Sequence, residues 1–129
     1  MPSITASASA TSNDRSFVSS ADFEAMFERW RAGDEQGAAA YFAVDGVFWE
    51  AKKEPIAGRD AIASHWAPFF HGGPVWRMTV HDIFGADERY AVAYTWEVQK
   101  PDGAWVGSPG CALVRLRDGK IAEWREYKA

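Results

Sequence analysis

Asp118-Gly119 lies between two runs of alternating aliphatic, aromatic and charged residues, and constrains this 129-residue chain more than any other feature. Both residues tolerate the positive φ that a type I′ turn demands, so residues 113–117 and 120–127 are expected to pair as an antiparallel hairpin. Period-two alternation then puts Ala122, Trp124 and Glu126 on one face of the closing strand, and Ile121, Glu123, Arg125 and Tyr127 on the other. The face turned inward decides which carboxylate can do chemistry.

The same period extends backwards. Runs 75–84, 90–99 and 104–117 alternate in the same way and are joined by short polar turns such as Pro101-Asp102-Gly103, which predicts four long antiparallel strands in succession. Ser108-Pro109-Gly110 is expected to form a bulge or bend, because proline cannot donate to a ladder and glycine relaxes the backbone. Upstream the period becomes helical. Phe23, Met26, Phe27 and Trp30 recur at helix spacing between Ser20, a candidate N-cap, and Gly33. Asp34 is placed to cap a shorter helix running through Ala38 to Phe42; Asp45-Gly46 ends it, and Val47-Phe48-Trp49 reads as a first strand. Pro55 to Gly58 reads as a turn, and Asp60 as the N-cap of a third helix carrying Ile62, Trp66, Phe69 and Phe70, which Gly72-Gly73-Pro74 stops. Segregated helices and strands define an α+β class. The expected architecture is a cone-shaped, curved antiparallel β-sheet with three N-terminal helices on its concave side, enclosing a pocket.

A chain of this length buries roughly two-thirds of the surface that its unfolded form exposes, enough for one domain, here residues 20–129. Residues 1–19 are rich in Ser, Ala and Thr and read as a flexible tail, with neither the basic n-region of a signal peptide nor an apolar span. Aromatic residues make up 15% of the chain and include seven Trp, more than a surface requires and suited to a cavity built from large rings. The net charge of −4 and the lack of a basic stripe weigh against nucleic acid. One cysteine, Cys111, allows no intramolecular disulfide, so a reducing, cytoplasmic compartment is expected.

Trp30-Arg31-Ala32-Gly33-Asp34, Asp45 to Phe48, Gly58-Arg59-Asp60-Ala61-Ile62, and Asp118 to Ile121 with Trp124 to Tyr127 occur in an order and spacing that resembles the nuclear transport factor 2-like cone, specifically its SnoaL-like branch. The superfamily includes ketosteroid isomerases, polyketide cyclases, limonene epoxide hydrolases and non-catalytic members. The resemblance implies the cone fold, and for many members a homodimer formed through the outer sheet face. Compared with the limonene epoxide hydrolases, Glu97 stands where that family has its arginine, Gln99 and Glu126 where it has its two aspartates, and Phe48 and Glu50 where it holds water with tyrosine and asparagine. The charge inversion at Glu97 removes the cation that bridges two carboxylates in that mechanism. In the SnoaL-like cyclases the general acid/base aspartate falls on Glu126 and a histidine falls on Trp124.

Glu126 is therefore the candidate proton shuttle, with Glu97 or Gln99 orienting the reacting oxygen. Burial among aromatic residues would raise the pKa of Glu126 toward neutrality, as general acid/base work requires. Phe48, Glu50, His65, Trp66, Phe69 and Trp124 are the candidate substrate-binding residues. Strict alternation buries Tyr94 and Trp96 and exposes Glu97 and Gln99, whereas the family register does the reverse and sends Tyr94 and Trp96 to a dimer interface. Arg59 is read as tying the third helix to the sheet. No histidine stands at ligand spacing from the carboxylates and no Gly-rich phosphate loop follows a strand, so no metal and no cofactor is expected. The expected function is carboxylate acid/base chemistry of isomerase, cyclase or hydratase type on a small apolar ring molecule. The alternative is a non-catalytic ligand-binding or dimerisation module of the same fold. Neither nucleic acid nor membrane is an expected partner.

Overall fold

The computed structural model describes residues 21–129; the tail at 1–19 and the Ser20 cap lie outside them. Helix α1 (Ala21–Arg31) buries Phe23, Met26, Phe27 and Trp30 on one face, as the helical spacing dictates. Helix α2 (Glu35–Ala39) starts at Asp34, whose carboxylate accepts from the Gly37 amide at 2.9 Å. The chain then enters strand β1 (Phe42–Trp49) directly. The short helix thus ends before Phe42, and Asp45-Gly46 lies inside the strand, where its register against the closing strand shifts between Phe42 and Val47. A small polar-glycine pair can mark a register change as readily as a helix end.

The expected turn at Pro55 to Gly58 contains a two-residue strand, β2 (Ile56–Ala57), paired antiparallel with Phe48 and Val47. Helix α3 (Arg59–Phe70) follows. Its N-cap is Gly58, at φ +99°, and no side chain caps the helix. Asp60 sits in the first turn, two residues past the cap, where its charge favours the positive end of the helix dipole without capping it. Glycine takes the cap because the backbone there must go left-handed while its amide donates to the Gly46 carbonyl at 2.7 Å.

Strands β3 (Trp76–Ala86), β4 (Arg89–Gln99), β5 (Trp105–Arg117) and β6 (Lys120–Lys128) complete a six-stranded sheet in the order β2-β1-β6-β5-β4-β3. Every pairing is antiparallel except β1 with β6. The sheet is curved and does not close into a barrel. Asp118 and Gly119 both take positive φ, 54° and 76°, as the type I′ reading required.

The expected bulge at Ser108-Pro109-Gly110 is absent. β5 stays in register with β4 from Arg89↔Arg115 to Gln99↔Trp105, and the register shifts fall at Val80/Asp82 and Arg115/Leu116. Pro109 is tolerated because its carbonyl accepts from Ala129 past the last ladder pair of β6, so its missing amide proton faces the same edge and breaks no ladder bond. The shift at Arg115/Leu116 also explains why Ile121 is buried beside Ala122, contrary to strict alternation, while Glu123, Arg125 and Tyr127 keep the outer face.

The core lies between the helices and the concave face of the sheet, where Trp30 meets Trp66 and Trp124 edge-on at centroid distances of 5.2 and 5.6 Å. Arg59 fastens α3 to β1 as its position suggested: Nε and Nη2 both donate to the Phe42 carbonyl, at 2.9 and 2.6 Å. Charged donors to one partly buried acceptor contribute about 1.5–3 kcal/mol. Arg59→Leu is expected to lower unfolding free energy by about that amount in urea denaturation, and a change below a few tenths of a kcal/mol would remove the anchoring role.

Candidate functional site

The mouth of the cone opens into a cavity of about 460 Å³. Three elements supply its apolar walls: α1 gives Trp30, α3 gives Trp66, Phe69 and Phe70, and β4 gives Tyr94 and Trp96, with Phe48 of β1 closing one side. Its polar lining is sparse and convergent, consisting of Glu126 and Lys128 from β6, Glu50 and Lys53 just after β1, and His65 of α3.

Glu126 reaches this space because it shares the inner face of β6 with Trp124, which is fully buried behind it. The Trp124 indole N–H donates to Glu126 Oε2 at 3.4 Å. Burial raises the pKa of the Glu126 carboxyl, since the apolar walls disfavour its charged form, and the nearby Glu50 charge pushes the same way. The Tyr94 hydroxyl, Lys128 and the Trp124 N–H pull against this, and burial prevails. The Tyr94 hydroxyl lies against the Glu126 carboxyl and favours its charged form. Its own pKa is driven far above the ordinary phenol range, first by burial and then by Glu126, so Tyr94 is a neutral O–H at any physiological pH.

A second titratable group stands on another wall. His65 Nε2 lies 2.5 Å from Glu50 Oε1, and Lys53 Nζ holds the other oxygen of Glu50 at 3.7 Å. With Nε2 donating to a carboxylate, neutral His65 keeps a lone pair on Nδ1. The cavity therefore carries a carboxyl inclined to hold its proton on one wall and an imidazole on another. Among the described residues, no three His, Cys, Asp or Glu side chains gather at metal-binding distance.

Six of the nine expected residues, Glu126, Phe48, Glu50, His65, Trp66 and Phe69, line this cavity, and Trp124 touches it through Glu126. Glu97 and Gln99 do not. Glu97 accepts from Arg77 Nε at 2.9 Å on the outer face, and Gln99 donates to the Gly103 carbonyl at 3.3 Å. Their neighbours Tyr94 and Trp96 occupy the cavity instead, so the family register fails on β4 and plain alternation holds. Tyr94 and Trp96 are accordingly removed from the outer sheet face. Trp30, Lys53, Phe70, Tyr94, Trp96 and Lys128 are among the lining residues that the sequence comparison missed, and the signal for Tyr94 and Trp96 was the alternation of residues 92–98. His81 and His71 lie elsewhere, against Thr95 Oγ1 and Glu35 Oε1.

The SnoaL-like domain model matches residues 23–124. None of the curated proteins matches the sequence. Solved structures share the fold. A protein of ketosteroid isomerase-like fold from Catenulispora acidiphila, in complex with trimethylamine, is 17% identical, with 81% of this chain and 82% of that one covered at a TM-score of 0.70. A candidate SnoaL-like polyketide cyclase from Jannaschia sp. CCS1 is 18% identical, with 89% and 90% covered and a TM-score of 0.65. The epoxide hydrolase/cyclase-like enzyme SalBIII, of pyran ring formation in the polyether salinomycin, is 17% identical, with 83% and 87% covered and a TM-score of 0.69. At such identities the likeness is one of fold alone. Since the family model spans the helices, the cavity walls and most of the closing strand, the chain belongs to the SnoaL-like family.

Proposed function

We propose that the protein is a cofactor-independent enzyme of isomerase, cyclase or hydratase type, which moves a proton on a small apolar ring molecule held in the cone. The observation that carries this reading is a carboxyl, Glu126, whose pKa burial raises inside a cavity walled by aromatic rings. Glu126 in its protonated form donates to a substrate oxygen, and His65, oriented by Glu50, receives the proton released from the substrate's carbon or hydroxyl. The two groups occupy separate walls, as a donor and an acceptor working on one ring must. The named activities of a cyclase and an epoxide hydrolase/cyclase-like enzyme among proteins of this fold support the reaction class. Cyclic ketones, lactones and epoxides screened by thermal shift should yield a ligand that is turned over. Glu126→Gln should then lower kcat about 10²–10⁴-fold with the fold intact by circular dichroism, and full turnover in the variant would overturn the assignment.

The buried carboxyl also sets a pH dependence of stability. Between the ordinary carboxylate pKa and the raised value of Glu126, the native state holds a proton that the unfolded chain has lost. Stability is therefore highest below that window and falls as pH rises through it. Each unit of displacement corresponds to about 1.4 kcal/mol. Glu126→Gln is expected to be more stable than the parent at pH 8 and to lose that advantage at pH 4, read as Tm across the range; a difference independent of pH would contradict a raised pKa.

A second copy of the chain is the partner we propose for the outer sheet face. Exposed Phe84 and Leu113 flank Ala91 in one cross-strand row that ends at Arg125, and Ala93 and Cys111 lead from Asp82 to exposed Tyr127 in the next, which leaves an apolar patch between charged ends. Leu113→Glu should shift the assembly toward monomer in light scattering, and an unchanged mass would exclude this face.

A further inference from the structure

Lys128 is the last residue of β6 and shares the inner face of that strand with Trp124 and Glu126. Its cross-strand partner on β5 is Gly110, and the next residue in the row, on β4, is Tyr94. Glycine leaves no side chain between them, and the Tyr94 ring leans over the gap: a Cβ at Gly110 would lie 3.4 Å from Tyr94 Cε2 and Cζ. Lys128 therefore stands at the cavity rim, beside Tyr94 and Glu126, and is itself exposed.

The charges of the lining do not balance around it. Glu50 gives one oxygen to His65 and the other to Lys53. Among the described residues Lys128 enters no ion pair. The lining carboxyl that it acts on is Glu126, whose charged form it favours. By itself the amine thus opposes the proton that an acid at Glu126 must carry. An anion bound to Lys128 reverses that effect, because it cancels the cation and adds a negative charge that disfavours ionised Glu126. Of the other titratable groups, Tyr94 on β4 is a neutral O–H, while Glu50, Lys53 and His65 form one paired group after β1 and on α3.

We infer that Lys128 is the specificity-determining residue for a carboxylate on the ligand, so that the molecule this cavity takes is a ring acid, with its ring among Phe48, Trp66 and Trp96 and its carboxylate at the rim. The inference rests on the reading of the cavity as an acid/base site for ring molecules and adds the charged group that selects among them. A monoanion fits because one unpaired amine is on offer, a compact point charge without the fork that arginine presents. A phosphate dianion would meet that same amine with the Glu50 and Glu126 carboxyls also in the lining, and like charges repel.

Three probes share one ring system: 2-naphthoate, its neutral isostere 2-naphthamide, and 2-naphthyl phosphate. In calorimetric titrations at neutral pH and low salt, naphthoate should bind about three- to tenfold more tightly than naphthamide, and the phosphate no more tightly than naphthoate. Added salt should erode the preference for naphthoate and leave naphthamide unchanged. Lys128→Met should bring naphthoate down to the affinity of naphthamide, and Lys128→Arg should keep the preference. Because Lys128 is exposed at a strand end, both variants should fold, and a naphthamide affinity equal to the parent's reports that they have. Carboxyl ¹³C titration of Glu126 gives a second readout: its pKa should rise further in saturating naphthoate than in saturating naphthamide. Equal affinity for naphthoate and naphthamide, no naphthoate binding at millimolar concentration, tighter binding of the phosphate, equal shifts of Glu126, or a preference that survives Lys128→Met would each overturn the proposal. Full turnover in Glu126→Gln would instead sink the acid/base reading while leaving the naphthoate preference and its dependence on Lys128 intact, so the two failures are distinguishable.

Discussion

The edge-on packing of Trp30 against Trp66 and Trp124 holds this structure together, because it joins one residue from each of the three parts that make the cone: α1, α3 and the closing strand. Each such ring pair contributes about 0.5–1.5 kcal/mol beyond the area it buries. Its geometric effect is larger. Phe27 meets Trp124 at 6.1 Å and Phe42 and Phe48 meet Trp66 at 5.8 and 5.3 Å, so the rings spread into one rigid cluster that forms the cavity floor. At the other end Trp76 and Trp96 stack at 4.4 Å, with Phe69 and Phe70 beside them, extending the aromatic lining toward the mouth.

That cluster makes the chemistry of Glu126 possible and makes its burial costly. The same rings that exclude water from the carboxyl raise its pKa. A core selected for stability alone would place a leucine or methionine there and a phenylalanine at Tyr94. Polar atoms instead converge on one spot of an apolar cavity, with Lys53, Lys128 and the His65–Glu50 pair as the other polar groups of its lining. Local sacrifice of stability at a few positions, inside a scaffold over-determined by aromatic packing, is what a ligand site requires.

How much of this was legible in the chain depends on how local the determining physics is. The Asp118-Gly119 turn, the buried stripe of α1 and the succession of four long strands follow from backbone preferences and period, and they stand in the structure as read. Where one residue could serve two local purposes, the reading went astray. Asp45-Gly46 marks a register shift and not a helix end, and Gly58 displaces Asp60 as cap because a hydrogen bond to Gly46, twelve residues away, sets its backbone. On β4 two sources of inference conflicted. Alternation of Val92, Tyr94, Trp96 and Val98 described the burial correctly, while the register borrowed from the epoxide hydrolases put Glu97 and Gln99 where Tyr94 and Trp96 stand. The hydrophobic demand of this sheet outweighs a motif register from a related branch of the superfamily.

The sequence by itself determined the class of fold, the faces of the outermost residues of the closing strand and the identity of Glu126 as the carboxylate on the Trp124 face, because turn chemistry and side-chain period act between neighbours in the chain. Only the tertiary structure decided that Tyr94 lies beside that carboxylate, that Trp30 packs on Trp124, that His65 takes Glu50 as its partner, and that Glu97 turns outward to Arg77. Those pairings span from 15 to more than 90 positions of sequence, and they depend on sheet curvature and on register shifts in β1, β3 and β6. A bulge moves every residue beyond it to the opposite face, and where a bulge falls is settled by packing across the whole sheet rather than by the residues that form it.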